Sequence, residues 1–142
     1  MVDDLWADEA LRWLSTACGD LRGAEAILAD PRAPSRHAAL FAQQVAEKSL
    51  KAALSASGLE IPRSHDLRRL LRLVPDDWSV HRVAHELVDL TAYSVGARYP
   101  DAGSSVGGDE AIEAVEEARA IYESVHRDLG TRGVAVDTMA CD

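Results

Sequence analysis

Aromatic side chains are scarce in this chain, with one Phe, three Tyr and three Trp among 142 residues. A core of that size must then be filled mainly by Ala, Leu and Val, which suits closely packed helices better than a sheet built on aromatic and β-branched residues. Cysteine is scarcer still. Cys18 and Cys141 lie far apart, so neither a disulfide framework nor a zinc site is indicated, and a reducing cytoplasm is the expected compartment. No apolar run approaches the roughly 18 residues of a membrane span, and no basic segment precedes an N-terminal apolar stretch, so neither membrane insertion nor export is expected. Positive charge is in deficit: 15 Lys and Arg against 24 Asp and Glu leave a net charge of -9. Such a field repels phosphate and excludes a general nucleic-acid coat protein, leaving room only for a local basic patch.

What is present is helical periodicity, in a length that fits one domain. Trp6, Ala10, Trp13, Leu14, Ala17, Leu21, Ala24 and Leu28 recur at three- and four-residue steps and predict a first helix from Asp4 to Asp30, closed by Pro31 and Pro34. Ser35 is a candidate cap for a second helix through Ala38, Phe41, Val45, Leu50 and Leu54, with Gly58 as its C′ residue. Ser64 is the candidate cap of a short, basic helix ending before Pro75. Another long helix is expected between Asp77 and Ala97, stopped by Tyr99-Pro100, and a Gly/Ser-rich loop follows to Gly108. Asp109 is the candidate cap of the last helix, which Gly130 is expected to end. The fold class that follows is all-α, an antiparallel up-and-down bundle of four or five helices over residues 1–130, with 131–142 as a mobile tail.

Three constellations carry candidate function. Gln43, Gln44, Glu47, Lys48 and Lys51 form two adjacent polar ridges on one helix. On physics alone they read as a solvated face with i,i+4 pairs; the sharper reading is a hydrogen-bonding surface toward the third helix or a partner subunit. Arg63, His65, Arg68, Arg69 and Arg72 reverse the sign of the chain locally. Arginine forks grip phosphate, and a helix start at Ser64 would add backbone donors, whereas the plain alternative is pairing with the acidic helix that begins near Asp109. Ser64-His65-Asp66 is no hydrolase triad, because neighbours in sequence point apart at a helix start; His65 is expected to bond a nearby carbonyl or glutamine. Tyr93, Arg98, Tyr99, Pro100 and Asp101 stand where a helix meets a flexible loop, and Arg98 either meets a ligand or satisfies the helix's terminal carbonyls.

Taken in order, the Gln43–Ala52 segment, Pro62-Arg63-Ser64-His65-Asp66-Leu67, and Tyr93 followed by Arg98-Tyr99-Pro100-Asp101 resemble the HEPN (higher eukaryotes and prokaryotes nucleotide-binding) family over residues 5 to 128. The resemblance implies an up-and-down bundle that forms a homodimer with a cleft at the interface, association with nucleotide or RNA, and no metal or cofactor. It also implies a minimal nucleotidyltransferase as partner in a toxin-antitoxin-like pair, and by analogy modification of the exposed Tyr99 by that partner. Ribonuclease members use an Arg followed after four to six residues by His. Here that spacing from Arg98 falls on Gly103, Ser104 and Ser105. The formal matches Arg32–His37 and Arg119–His126 are no more than chance supplies. Without that histidine, Asp101 or His65 would have to carry the proton while Arg98 stabilises charge. Recognition of nucleotide or RNA phosphate by Arg63, His65, Arg68, Arg69, Arg72, Arg98 and Tyr99 is therefore the leading expectation. A divergent ribonuclease and a non-catalytic dimerisation module are the alternatives.

Overall fold

Asp3 opens the first helix, its carboxylate accepting from the backbone N–H of Leu5 at 3.0 Å, and α1 then runs from Asp4 to Ala29. A computed structural model of the chain describes residues 2–84, 106–138 and 141. The helix buries Ala10, Leu14, Ala17, Cys18, Leu21 and Ala24, the stripe expected from the spacing, while Trp6 remains 47% exposed at the rim. Gly23 has a steric reason: a Cβ there would lie 2.8 Å from the ring of Phe41, so its absence lets the second helix approach.

That helix, α2 (Ser35–Ala56), is the centre of the fold. Every residue from Val45 to Ala56 except Lys48 is buried, because α1, the short α3 (Leu67–Leu73) and the last helix, α5 (Gly108–Thr131), all pack on it. Between α3 and α5 in sequence lies α4 (Val80–Val83). The architecture is all-α, and no strand occurs among the described residues. Of the long helix expected over 77–97, the described part is helical from Val80 to Val83; the remainder lies outside the described residues.

Helix ends differ instructively from the expected caps. Pro34, not Ser35, is the N-cap of α2, and it offers no side-chain acceptor. At α3 the cap is Asp66, whose Oδ1 accepts from the N–H groups of Arg68 and Arg69, while Ser64 Oγ accepts from the Asp66 N–H. Asp109 sits inside the first turn of α5, with Gly107 at the cap. Gly58 takes the expected left-handed conformation at φ 70°, and the bonds Leu59 N–H to Leu54 O and Gly58 N–H to Ser55 O close a Schellman motif. An equivalent motif ends α5, but at Gly133 (φ 87°): Val134 N–H reaches Leu129 O, and Gly133 N–H reaches the carbonyl of Gly130. Gly130 is thus helical, and the terminator lies three residues later.

The segment after Thr131, expected as a mobile tail, instead contributes to the core. Val134 and Val136 are buried, a 3-10 turn covers Val136–Thr138, and Cys141 is disulfide-bonded to Cys18 on α1. The expectation of unpaired cysteines fails because sequence separation, here 123 residues, says nothing about distance in a fold that brings the chain end back to α1.

Candidate functional site

The polar ridges of α2 turn inward. Gln43 is fully buried, and the side chains of Glu47 and Lys51 are 5% and 9% exposed. Each of these groups needs a partner, since an unpaired polar atom away from water costs on the order of 1–3 kcal/mol and a charge more. Glu47 supplies the common acceptor: Oε1 takes the Gln43 amide at 3.1 Å and His65 Nδ1 at 2.8 Å, and Oε2 takes the Lys51 ammonium at 3.0 Å. Gln44 donates to Gln43 Oε1 at 2.6 Å, and the Lys51 ammonium stands 5.3 Å from the Trp13 ring centroid. Burial raises the pKa of Glu47, but the hydrogen bonds from His65, Lys51 and Gln43 together outweigh that and hold it below its ordinary value. The reading of a solvated face is therefore wrong for Gln43, Glu47 and Lys51. It fails because α2 is surrounded, so its polar ridges meet other parts of the chain.

Lys48 departs from the expected Gln44 pairing and bonds Asp20 of α1 at 2.5 Å. Asp20 enters these networks although the sequence did not single it out, and Trp13 does so although its spacing marked it only as part of the apolar stripe of α1; that stripe identified the core face but not which flanking polar residues would meet α2.

His65 leads from this buried network to solvent, with its own side chain 65% exposed. It bonds neither a carbonyl nor a glutamine, as expected from the sequence, but the carboxylate of Glu47. Arg63, Arg68, Arg69 and Arg72 lie on the same loop and helix, all exposed, and none pairs with a carboxylate among the described residues. The alternative of pairing with the acidic start of α5 is not realised there. The backbone donors expected to assist an anion are already occupied by Asp66. What the segment offers a ligand is guanidinium charge.

Residues 10–128 match the HEPN domain family. The chain belongs to the HEPN family. The crystal structure of TT1696 from Thermus thermophilus is similar to this HEPN chain, with a TM-score of 0.69 and 28% identity over 84% of this chain and 97% of that one. No curated protein matches in sequence. Membership supports a nucleotide- or RNA-related role in general.

The remaining expected site residues of this HEPN domain, Tyr93, Arg98, Tyr99 and Asp101, lie outside the described residues. Of the formal Arg–His matches, Arg32 pairs with Asp30 at the surface, and Arg119 is committed to both oxygens of Glu25 at 2.8 and 2.7 Å and to Glu123 at 3.1 Å. Neither arginine stands with its histidine as a free catalytic pair. No group of three or more potential metal ligands occurs among the described residues, and no described helix is long and apolar enough to cross a membrane.

Proposed function

We propose that this HEPN domain binds the phosphate of a nucleotide or RNA through Arg63, Arg68, Arg69 and Arg72 together with Arg98. It does so as a homodimer whose partner is a minimal nucleotidyltransferase in a toxin-antitoxin-like pair. The observation that carries the reading is the set of four exposed arginines without carboxylate partners among the described residues, in a chain of net charge -9. Unpaired guanidinium groups of one sign are poor contributors to folding but good phosphate ligands, because the fork matches two oxygens at once.

Titration of labelled RNA and of ATP tests it. Arg68→Ala and Arg69→Ala are each expected to weaken RNA binding and to lower the slope of log K against log salt by about 0.7–0.9 for each phosphate no longer engaged. Arg98→Ala probes the loop side in the same way. Equal, salt-insensitive binding by all these variants and the wild type would refute the site. The dimerisation alternative loses its surface, since Gln43, Glu47 and Lys51 are already covered within one chain. Light scattering on Lys48→Glu, at one of the two half-buried positions of that polar face, checks this: the oligomeric state is expected to be unchanged.

A further inference from the structure

We infer that the end of the bundle where α1 begins and α2 ends is a docking surface for a cationic amphipathic helix of a partner protein. It uses none of the arginines of the phosphate-binding reading and stands or falls independently of it.

Five large hydrophobic side chains are exposed among the described residues, and three of them gather at this end: Leu5 (77%), Trp6 (47%) and Leu59 (43%). Single exposed apolar residues are ordinary, whereas a contiguous group marks a surface that something covers. Contact between the two helix ends brings them together. A Cβ on Gly58 would overlap the six-membered ring of Trp6, so the indole lies directly against the glycine backbone, one residue before Leu59. The Ser55 hydroxyl stands 3.1 Å from the Trp6 carbonyl oxygen and 3.2 Å from Glu9 Oε2, tying the start of α1 to the last turn of α2. Trp6 is thus held in place before any partner arrives, with nearly half of its surface open to solvent. An aromatic side chain fixed in this way loses little freedom on binding, and tryptophan is a favoured anchor of protein interfaces.

Charge says what the surface fits. Asp3, Asp4, Asp8 and Glu60 are exposed around the apolar group and Glu9 is half-buried; none of them forms an ion pair among the described residues. No Lys or Arg precedes Arg12 in the sequence, and the nearest base on the α2 side is Arg63, beyond Ile61 and Pro62. Leu5 has Asp8 and Glu9 three and four residues on, so carboxylates border it on its own helix face. An apolar centre within an acidic rim repels nucleic acid and anionic lipid, and it matches an apolar stripe flanked by Lys and Arg. No strand occurs among the described residues for a partner strand to extend, which leaves a helix with anchors one turn apart as the complementary form.

The probes are two labelled synthetic helical peptides with the same leucine stripe, one carrying lysine and the other glutamate on its polar face. Each is titrated against the full chain by fluorescence anisotropy. The lysine peptide is expected to bind, more weakly as salt rises, and the glutamate peptide not to bind. Trp6→Ala is expected to weaken the lysine peptide by roughly 10- to 100-fold. Because Trp6 also packs on Gly58, Leu5→Ser is the second variant: its side chain stands mostly in solvent, so affinity should fall while the melting temperature stays at the wild-type value. Ile112→Ser is the control, an exposed apolar position in the acidic start of α5, and should bind as the wild type does. A lysine peptide that fails to bind, or that is weakened only by Ile112→Ser, overturns the assignment. So does one that binds every variant equally, since net charge alone then accounts for the attraction. Sedimentation velocity without peptide tests the other occupant: an oligomer that Leu5→Ser breaks apart would give the surface to a second copy of this chain and overturn the assignment as well.

Discussion

Replacing Glu47 with Gln keeps the side chain's shape and removes its charge, which makes it a sharp probe of the buried network. In the wild type the Lys51 ammonium is 9% exposed and 3.0 Å from Glu47 Oε2. After Glu47→Gln that cation stays buried with only a neutral acceptor and the Trp13 ring 5.3 Å away, and the ring offsets about 0.5–1 kcal/mol. Breaking a buried pair from one side costs about 3–5 kcal/mol. With a urea dependence of about 2 kcal/mol per molar, the unfolding midpoint should fall by roughly 1.5–2.5 M. Adding Lys51→Met removes the stranded cation, so the double variant should recover most of the loss, a non-additivity of about 2–3 kcal/mol. The assay is equilibrium urea unfolding followed by circular dichroism across the four members of the cycle. A midpoint shift below about 0.5 M for Glu47→Gln, with additive effects in the double variant, is what an exposed i,i+4 pair would give. That outcome would refute the buried-hub account.

Acid should reveal the same carboxylate. The folded-state pKa of Glu47 lies below its ordinary 4.5, so its contribution is fully present above that pH and is lost as pH falls through the lowered value; thermal midpoints measured between about pH 6 and pH 2 should fall less steeply in Glu47→Gln, and identical slopes would contradict the shift. Asp128 on α5 accepts from the Ser79 N–H at 2.6 Å and from its hydroxyl at 2.8 Å at the start of α4. Asp128→Ala should cost about 1–2 kcal/mol in chemical unfolding, as loss of a capping acceptor does, while Asp128→Asn should cost less. Breaking the Cys18–Cys141 bond should lower stability by about 2–4 kcal/mol. Cys141→Ser and the wild type in dithiothreitol are expected to melt together, and a wild type indifferent to reductant would show that the bond does not form in solution.

The helices were legible because their signals are local: apolar residues at helical spacing, prolines that stop them, and a glycine at Gly58 that can turn left-handed. Terminators competing over a few residues were not. Gly130 and Gly133 both qualify at the end of α5, and the choice falls to Gly133 because Val134 and Leu129 can then both be buried around the Schellman bonds. Likewise Ser64 and Asp66 both qualify as caps, and the carboxylate wins, being the stronger acceptor for two N–H groups. Within the site, Gln43, Glu47 and Lys51 could be picked out as a set, and so could His65. That they meet depends on which face of α2 the loop at 62–66 crosses, a tertiary fact with no signature in either segment. The chemistry of Cys18 and Cys141 was hidden for the same reason.

That disulfide changes what a cut in the chain does. With residues 18 and 141 joined, everything between them forms a covalent ring. Trypsin acting at the exposed Arg63 therefore opens the ring without separating its halves, and the nicked protein keeps the mass of the intact one, plus a water, until a reductant is added. Two bands on a reducing gel and one on a non-reducing gel would be the same molecules.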